Sequence, residues 1–159
     1  MIHPNILLIE KEGDKKVLRR KTASFDFSKF SKKDIGELIK NMRAIMKEAQ
    51  GVGLAANQIG LSISVFVAQV ENKFYSIFNP EIIQFSSDTI SDEEGCLSVP
   101  GSYGPTPRAS KVTLSGQDKN GKPIKIKAWG LLARVFQHEV DHLNGKLFID
   151  RATQIHATK

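Results

Sequence analysis

His138, Glu139 and His142 sit within QHEVDHLNG, residues 137–145. On a helix, a four-residue step brings both imidazoles to one face, one turn apart. Two ring nitrogens so placed can bind one metal ion, and Glu139, directly after the first histidine, can reach a water on that ion. The chemistry this implies is metal-assisted hydrolysis. A pair of core histidines satisfied by hydrogen bonds is the plainer alternative, and the motif alone leaves it open.

The surrounding residues support a helix. Leu132, Phe136, Val140 and Leu143 repeat at steps of four, four and three, and Leu131, Val135, His138 and His142 form the adjacent stripe. Trp129-Gly130 precedes the helix, and Asn144-Gly145 supplies a stop. One face is therefore expected in the core, with the histidine face beside it.

The 159 residues suit a single domain spanning 1–159, with 40% hydrophobic and 25% charged residues. No apolar run approaches the ~20 residues that cross a bilayer, and Glu10 and Glu12 in the first dozen residues do not fit a secretory or transit leader. A cytoplasmic protein is expected, with no membrane contact. Cys96 is the one cysteine, so no internal disulfide forms and a reducing compartment fits; its thiol is a core filler, a nucleophile or a ligand. The formal charge of +6 is spread over several lysine and arginine clusters. It attracts polyanions in general, but no nucleic-acid module or aromatic stacking series points to a specific one.

Along the chain, Asn5–Ile9 reads as a short strand or an extended edge segment, and residues 12–14 as a turn. A helix is expected over 32–49, with Ser31 and Asp34 as a capping box, Phe30 and Ile35 as a staple, Met42 and Met46 as core, and Gly51 as its end. GVGLAANQIG, residues 51–60, reads as a loop beside a cleft, with the Gln58 amide as a donor. From 62 to 85 strands are expected: Ile63, Val65 and Val67 alternate, Phe74–Phe78 follows a turn at residues 71–73, and Ile82–Phe85 comes after a break at Asn79-Pro80. Residues 86–94 read as loop, and 94–108 as too rich in Gly and Pro for more than a short strand. Residues 112–114 and 124–128 flank a hairpin turn at Asn120-Gly121.

GVGLAANQ, EGCLS and QHEVDH, in this order, resemble the three motifs of the bacterial peptide deformylases, and the resemblance runs over most of the chain. It implies an α+β fold with mixed or antiparallel sheets packed around a central metal-binding helix. Cys96, His138 and His142 are then the metal ligands, leaving a fourth position for water. Fe²⁺ is the implied ion, with Zn²⁺, Ni²⁺ or Co²⁺ accepted. The implied reaction removes the N-formyl group from the initiator methionine of nascent polypeptides. Glu139 acts as general base, and the Gln58 amide and the Leu97 backbone N–H stabilise the oxyanion.

The resemblance also implies that substrate lies as an added strand against the backbones of Val52, Gly53, Gly95 and Leu97, with glycine removing a blocking Cβ. The methionine side chain enters a pocket walled by Leu131, Val135 and His138, and Glu94 supports the loop. Tyr103 stands where many members carry Arg, with Arg108 five residues on, so contact with the downstream part of the substrate is expected to differ. Arg134 is a charge placed at the pocket rim. Residues 12–14 replace a Pro-containing turn, and the short polar tail after Asp150 leaves no long C-terminal helix for docking. A monomer with at most weak ribosome association is expected. Two other readings stand beside this one: a zincin-type peptidase, for which no further downstream ligand is evident, and a non-catalytic metal-binding module of the same fold.

Overall fold

The computed structural model describes residues 2–157. Three helices, α1 (Glu12–Leu18), α2 (Lys32–Glu48) and α3 (Gly130–Leu143), accompany eight strands. These are β1 (Gly53–Ala55), β2 (Val65–Val70), β3 (Lys73–Phe85), β4 (Thr89–Cys96), β5 (Val99–Ala109), β6 (Lys111–Gln117), β7 (Pro123–Trp129) and β8 (His156–Ala157). The strands form a five-stranded sheet in the order β1-β2-β3-β6-β7 and a three-stranded sheet in the order β4-β5-β8. Every pairing of these strands is antiparallel. No helix of the described residues is long and apolar enough to cross a membrane.

The larger sheet is covered on both faces, so alternate residues of β2 serve two cores. Phe66, Ala68 and Val70 pack with Val135, Phe136, Val140 and Leu143 of α3. Val65 and Val67 pack with Ile35, Met42, Ile45 and Met46 of α2. Phe136, fully buried, meets Phe66 and Tyr75 edge-on at centroid distances of 5.7 and 5.4 Å. Truncating such a side chain to alanine costs about 3–5 kcal/mol. The helix that carries the histidines is thus fixed by its other face.

Local sequence explains the helix ends. Ser31 Oγ accepts from Asp34 N at 3.0 Å and Asp34 returns the bond to Ser31 N at 3.0 Å, the expected capping box. Gln50, rather than Gly51, takes the left-handed conformation after α2, with φ 59°. Gly145, with φ 77°, closes α3, and an added Cβ there would meet the Arg19 carbonyl.

Several expected elements differ. Residues 5–9 form no strand; Leu7 N–H instead donates to the Gln58 carbonyl at 2.7 Å, and Ile9 N–H to Ser98 at 3.0 Å, pinning this segment beneath the motif loops. Residues 12–14 open α1, where Glu12 and Asp14 suit the first turn and Leu18 is the buried anchor. β3 runs unbroken through Asn79-Pro80 because the irregularity is absorbed by a register shift between Phe78 and Glu81, with Asn79 at φ 49°. The Asn79 side chain bonds both N–H and C=O of Phe25. Residues 86–94 and 94–108 form most of β4 and β5. Their ladder tolerates Pro100, Pro105 and Pro107 because β8 covers β5 only at Ser102 and Tyr103.

Candidate active site

α3 brings His138 and His142 together as the spacing requires, with Nε2 atoms 3.2 Å apart. β4 ends at Cys96, whose Sγ lies 3.3 Å from His142 Nε2. The three donor atoms lie within 4.8 Å of one another. Bonds of ~2.05 Å to nitrogen and ~2.3 Å to sulfur around a tetrahedral centre put neighbouring donors roughly 3.3–3.6 Å apart. The observed spacings match a single small divalent ion. The charges agree: beside Cys96, Glu94 and Glu139, His138 is held well above the ordinary histidine pKa despite burial that would lower it, so this spot favours positive charge. Burial and neighbouring His138 push His142 well below the ordinary value, which keeps it the neutral imidazole a metal needs. Ser98 N–H donates to Cys96 Sγ at 3.4 Å.

Glu94 is the hub behind these donors. Its Oε1 accepts from His138 Nδ1 at 2.8 Å, which turns His138 Nε2 toward Cys96 and His142. Arg108 grips both Glu94 oxygens at 2.9 Å, and Arg134 Nη1 donates to Oε2 at 2.6 Å. Burial alone would raise the Glu94 pKa, but these bonds outweigh it and hold the carboxyl far below the usual range. Arg108 continues to Asp141 at 2.6 Å, and Asp141 is also held by Arg151 at 2.7 and 2.9 Å. Gln137 ties α3 to β5 by bonding both N–H and C=O of Ala109.

Two expectations change here. Arg108 is 4% exposed and committed to two carboxylates, so it does not reach toward a substrate. Arg134 is drawn inward from the rim: its side chain is 11% exposed and clamps Thr106 and Ile90 carbonyls as well as Glu94. Glu94 joins β4 to Arg108, Arg134 and the His138 ring.

Glu139 is buried with Oε1 unpartnered, and burial pushes its pKa up to about 7. An orphaned carboxylate oxygen beside three metal-type donors is what an acid–base group serving a bound water looks like. Gln58 is fixed in orientation. Its Oε1 accepts from Ala55 N–H at 2.9 Å, so its NH₂ points to Ser98 Oγ at 3.1 Å and Cys96 Sγ at 3.8 Å. A cavity of about 430 Å³ opens over these groups, lined among others by Val52, Gly53, Gly95, Leu97, Leu131 and Val135. All of the sequence-derived candidates except the fully interior His142 touch it.

β1 and β4 are edge strands of their sheets and line this cavity from two sides. The Val52 carbonyl already accepts from Gln69 N–H at 2.8 Å, and alternate residues turn to opposite edges, so Gly53 keeps its backbone groups for the open side. The glycines also have a different reason than expected. An added Cβ would lie 2.6 Å from Glu139 Oε2 at Gly53 and 2.5 Å from the Tyr103 ring at Gly95. They make room for neighbouring side chains of the protein. Sequence reading missed Ser98, fully buried inside EGCLS, and Asn57, whose amide holds the His142 carbonyl at 2.5 Å.

The family model for polypeptide deformylase matches residues 6–158. The chain belongs to the polypeptide deformylase family. Among its deformylase relatives, that of Halothermothrix orenii is 47% identical over 152 residues, covering 94% of this chain and 96% of the relative. That of Carboxydothermus hydrogenoformans is 50% identical over 122 residues, covering 77% and 80%. The crystal structure of the Thermotoga maritima peptide deformylase superposes with TM-score 0.85 at 34% identity, covering 97% of this chain and 99% of that one. That of the Synechococcus elongatus deformylase, solved with actinonin, gives 0.84 at 36% identity over 94% and 78%. With the deformylase family come the α+β fold and a hydrolase that removes the N-formyl group from nascent peptides.

Proposed function

We propose that this chain deformylates the N-terminal formylmethionine of nascent polypeptides in the cytosol, with Cys96, His138 and His142 holding one divalent ion. Fe²⁺ is the ion assigned from the resemblance, with Zn²⁺, Ni²⁺ or Co²⁺ as substitutes; a thiolate with two imidazoles suits all four. The observation that carries the reading is the convergence of the three donor atoms beside the unpartnered Glu139 oxygen. The bound ion supplies Lewis acidity, which makes a water nucleophilic near neutral pH.

Glu139 takes the proton from that attacking water and returns one to the departing amine. The C–N bond of the formamide breaks, giving formate and a free N-terminus. The Gln58 NH₂, locked by Ala55, and the Leu97 backbone N–H donate to the oxygen that gains charge. Substrate runs between the open edges of β1 and β4, pairing with Gly53 and with Gly95–Leu97. Its methionine side chain sits against Leu131, Val135 and His138, with the Arg134 stem closing that wall. Tyr103, packed over Gly95, borders the path of the residues after methionine.

Formate release from formyl-Met-Ala by anaerobically metal-loaded protein, with no internal peptide cleavage, tests the assignment. Internal cleavage, or no formate at full metal occupancy, contradicts it.

A further inference from the structure

Away from the active cavity, a groove of about 950 Å³ runs between α2, the first half of β3, the β6–β7 turn and β7. Five cations line it: Lys40, Arg43 and Lys47 from α2, Lys73 from the start of β3, and Lys119 from the hairpin turn. Positions 40, 43 and 47 share one helix face. Among the described residues none of the five has an ion-pair partner. The one acid on the groove wall, Asp118, is occupied: its Oδ1 accepts from the N–H groups of Asn120 and Lys122 at 2.8 and 3.0 Å. Two of the cations are aimed by aromatic rings, with Arg43 4.2 Å above the Phe74 ring and Lys73 5.3 Å from that of Tyr75. Arg43 Nε is buried with no partner.

We infer that this groove binds the phosphate backbone of RNA. Unpaired cations from three separate elements surround a concave trough, which fits a strand-shaped polyanion. A lipid surface is flat and meets planar or convex basic faces. Recognition is of phosphate rather than sequence, because the Phe74 ring is already covered by Arg43 and is not free to stack on bases. The last residue of the α2 region, Ala49, with Gln50 beyond it, borders the active cavity, so an RNA held along Lys40–Lys47 lies within about two and a half helical turns of the cleft. The inference stands on this surface and does not depend on the roles assigned at the metal centre.

The test is fluorescence anisotropy of a mixed-sequence single-stranded RNA 20-mer between 50 and 200 mM salt. Five phosphate contacts give a log–log salt slope near −3.5, from about −0.7 per contact. Lys40→Glu/Lys47→Glu/Lys73→Glu is expected to weaken binding at least tenfold and flatten the slope. Lys15→Glu/Lys16→Glu/Lys21→Glu, an equal change in net charge elsewhere, is expected to stay within threefold of the parent. Lys→Gln at the three groove positions, expected to cost threefold or more, replaces the reversal if it disturbs folding. Formyl-Met-Ala turnover and thermal unfolding are expected to be unchanged in the groove variants. Equal loss in both reversal variants, an unchanged slope, or tighter groove-dependent binding to phosphatidylglycerol/phosphatidylcholine vesicles than to RNA overturns the inference.

Discussion

Glu94→Gln removes one negative charge from the hub that joins the metal ligands to the rest of the fold. Glu94, 7% exposed, accepts four hydrogen bonds at 2.6–2.9 Å from Arg108, Arg134 and His138. Whichever way the amide turns, its NH₂ faces two donors, so two charge-assisted bonds are lost and a repulsion replaces them. Each such bond contributes about 1.5–3 kcal/mol. Arg108 keeps Asp141, and Arg134 keeps two backbone carbonyls, which limits the damage. Breaking a buried ionic cluster from one side costs about 3–5 kcal/mol. That is a large share of a domain stability of about 5–15 kcal/mol. Metal affinity is expected to fall about 10- to 100-fold, because the group that orients His138 loses its charge and, in one of the two amide orientations, its acceptor oxygen as well.

The pH dependence gives a second readout of the same substitution. Despite its burial, the bonds from Arg108 and His138 hold folded-state Glu94 far below the usual carboxylate range, so its stabilisation is fully present above the unfolded-state pKa and is lost as pH falls toward the folded value. The gap between parent and variant therefore narrows in acid. Urea unfolding from pH 7 to pH 3, with metal competition at pH 7, measures both effects. A variant within 1 kcal/mol of the parent at pH 7 that also binds metal equally would refute the hub.

Glu139→Gln is expected to retain metal while kcat falls by about 10²–10⁴, measured by formate release. In metal-free protein the same change is expected to stabilise above pH 7, since burial raises the Glu139 pKa and its ionisation opposes folding there; the difference should vanish below pH 4.5 in denaturant titrations. Gln58→Ala is expected to lower kcat by about 10²–10³ with little change in melting temperature. Gly53→Ala puts a methyl 2.6 Å from Glu139 Oε2, so kcat should fall tenfold or more while metal content holds. An unchanged rate in that variant would mean that the carboxylate need not sit where it does.

The histidine pair, α2 and its cap were legible because helical spacing and capping are local. The β6–β7 hairpin was legible for the same reason: Gly121, with φ 80°, takes the turn. β4 escaped because residues 89–93 are all exposed, leaving no alternation of apolar and polar side chains to read. β5 escaped because its prolines argue against a central strand, while its free edge over much of its length tolerates them. α1 is seven residues long with one buried anchor, too short for a period to show. At the site, Cys96, Glu139 and Gln58 were found through motif context. The commitment of Arg108 and Arg134 was not, because Glu94 lies 14 and 40 residues away and only the fold brings both arginines to it.

Cobalt substitution tests the metal centre most directly. Metal-free protein loaded anaerobically with Co²⁺ should take up one ion per chain. It should show a thiolate-to-cobalt charge-transfer band with the intense visible absorption of a tetrahedral site. Cys96→Ser should abolish the charge-transfer band, and His142→Ala should lower affinity sharply. Cobalt bound without a thiolate band, or bound equally well by both variants, would contradict a centre built from Cys96, His138 and His142.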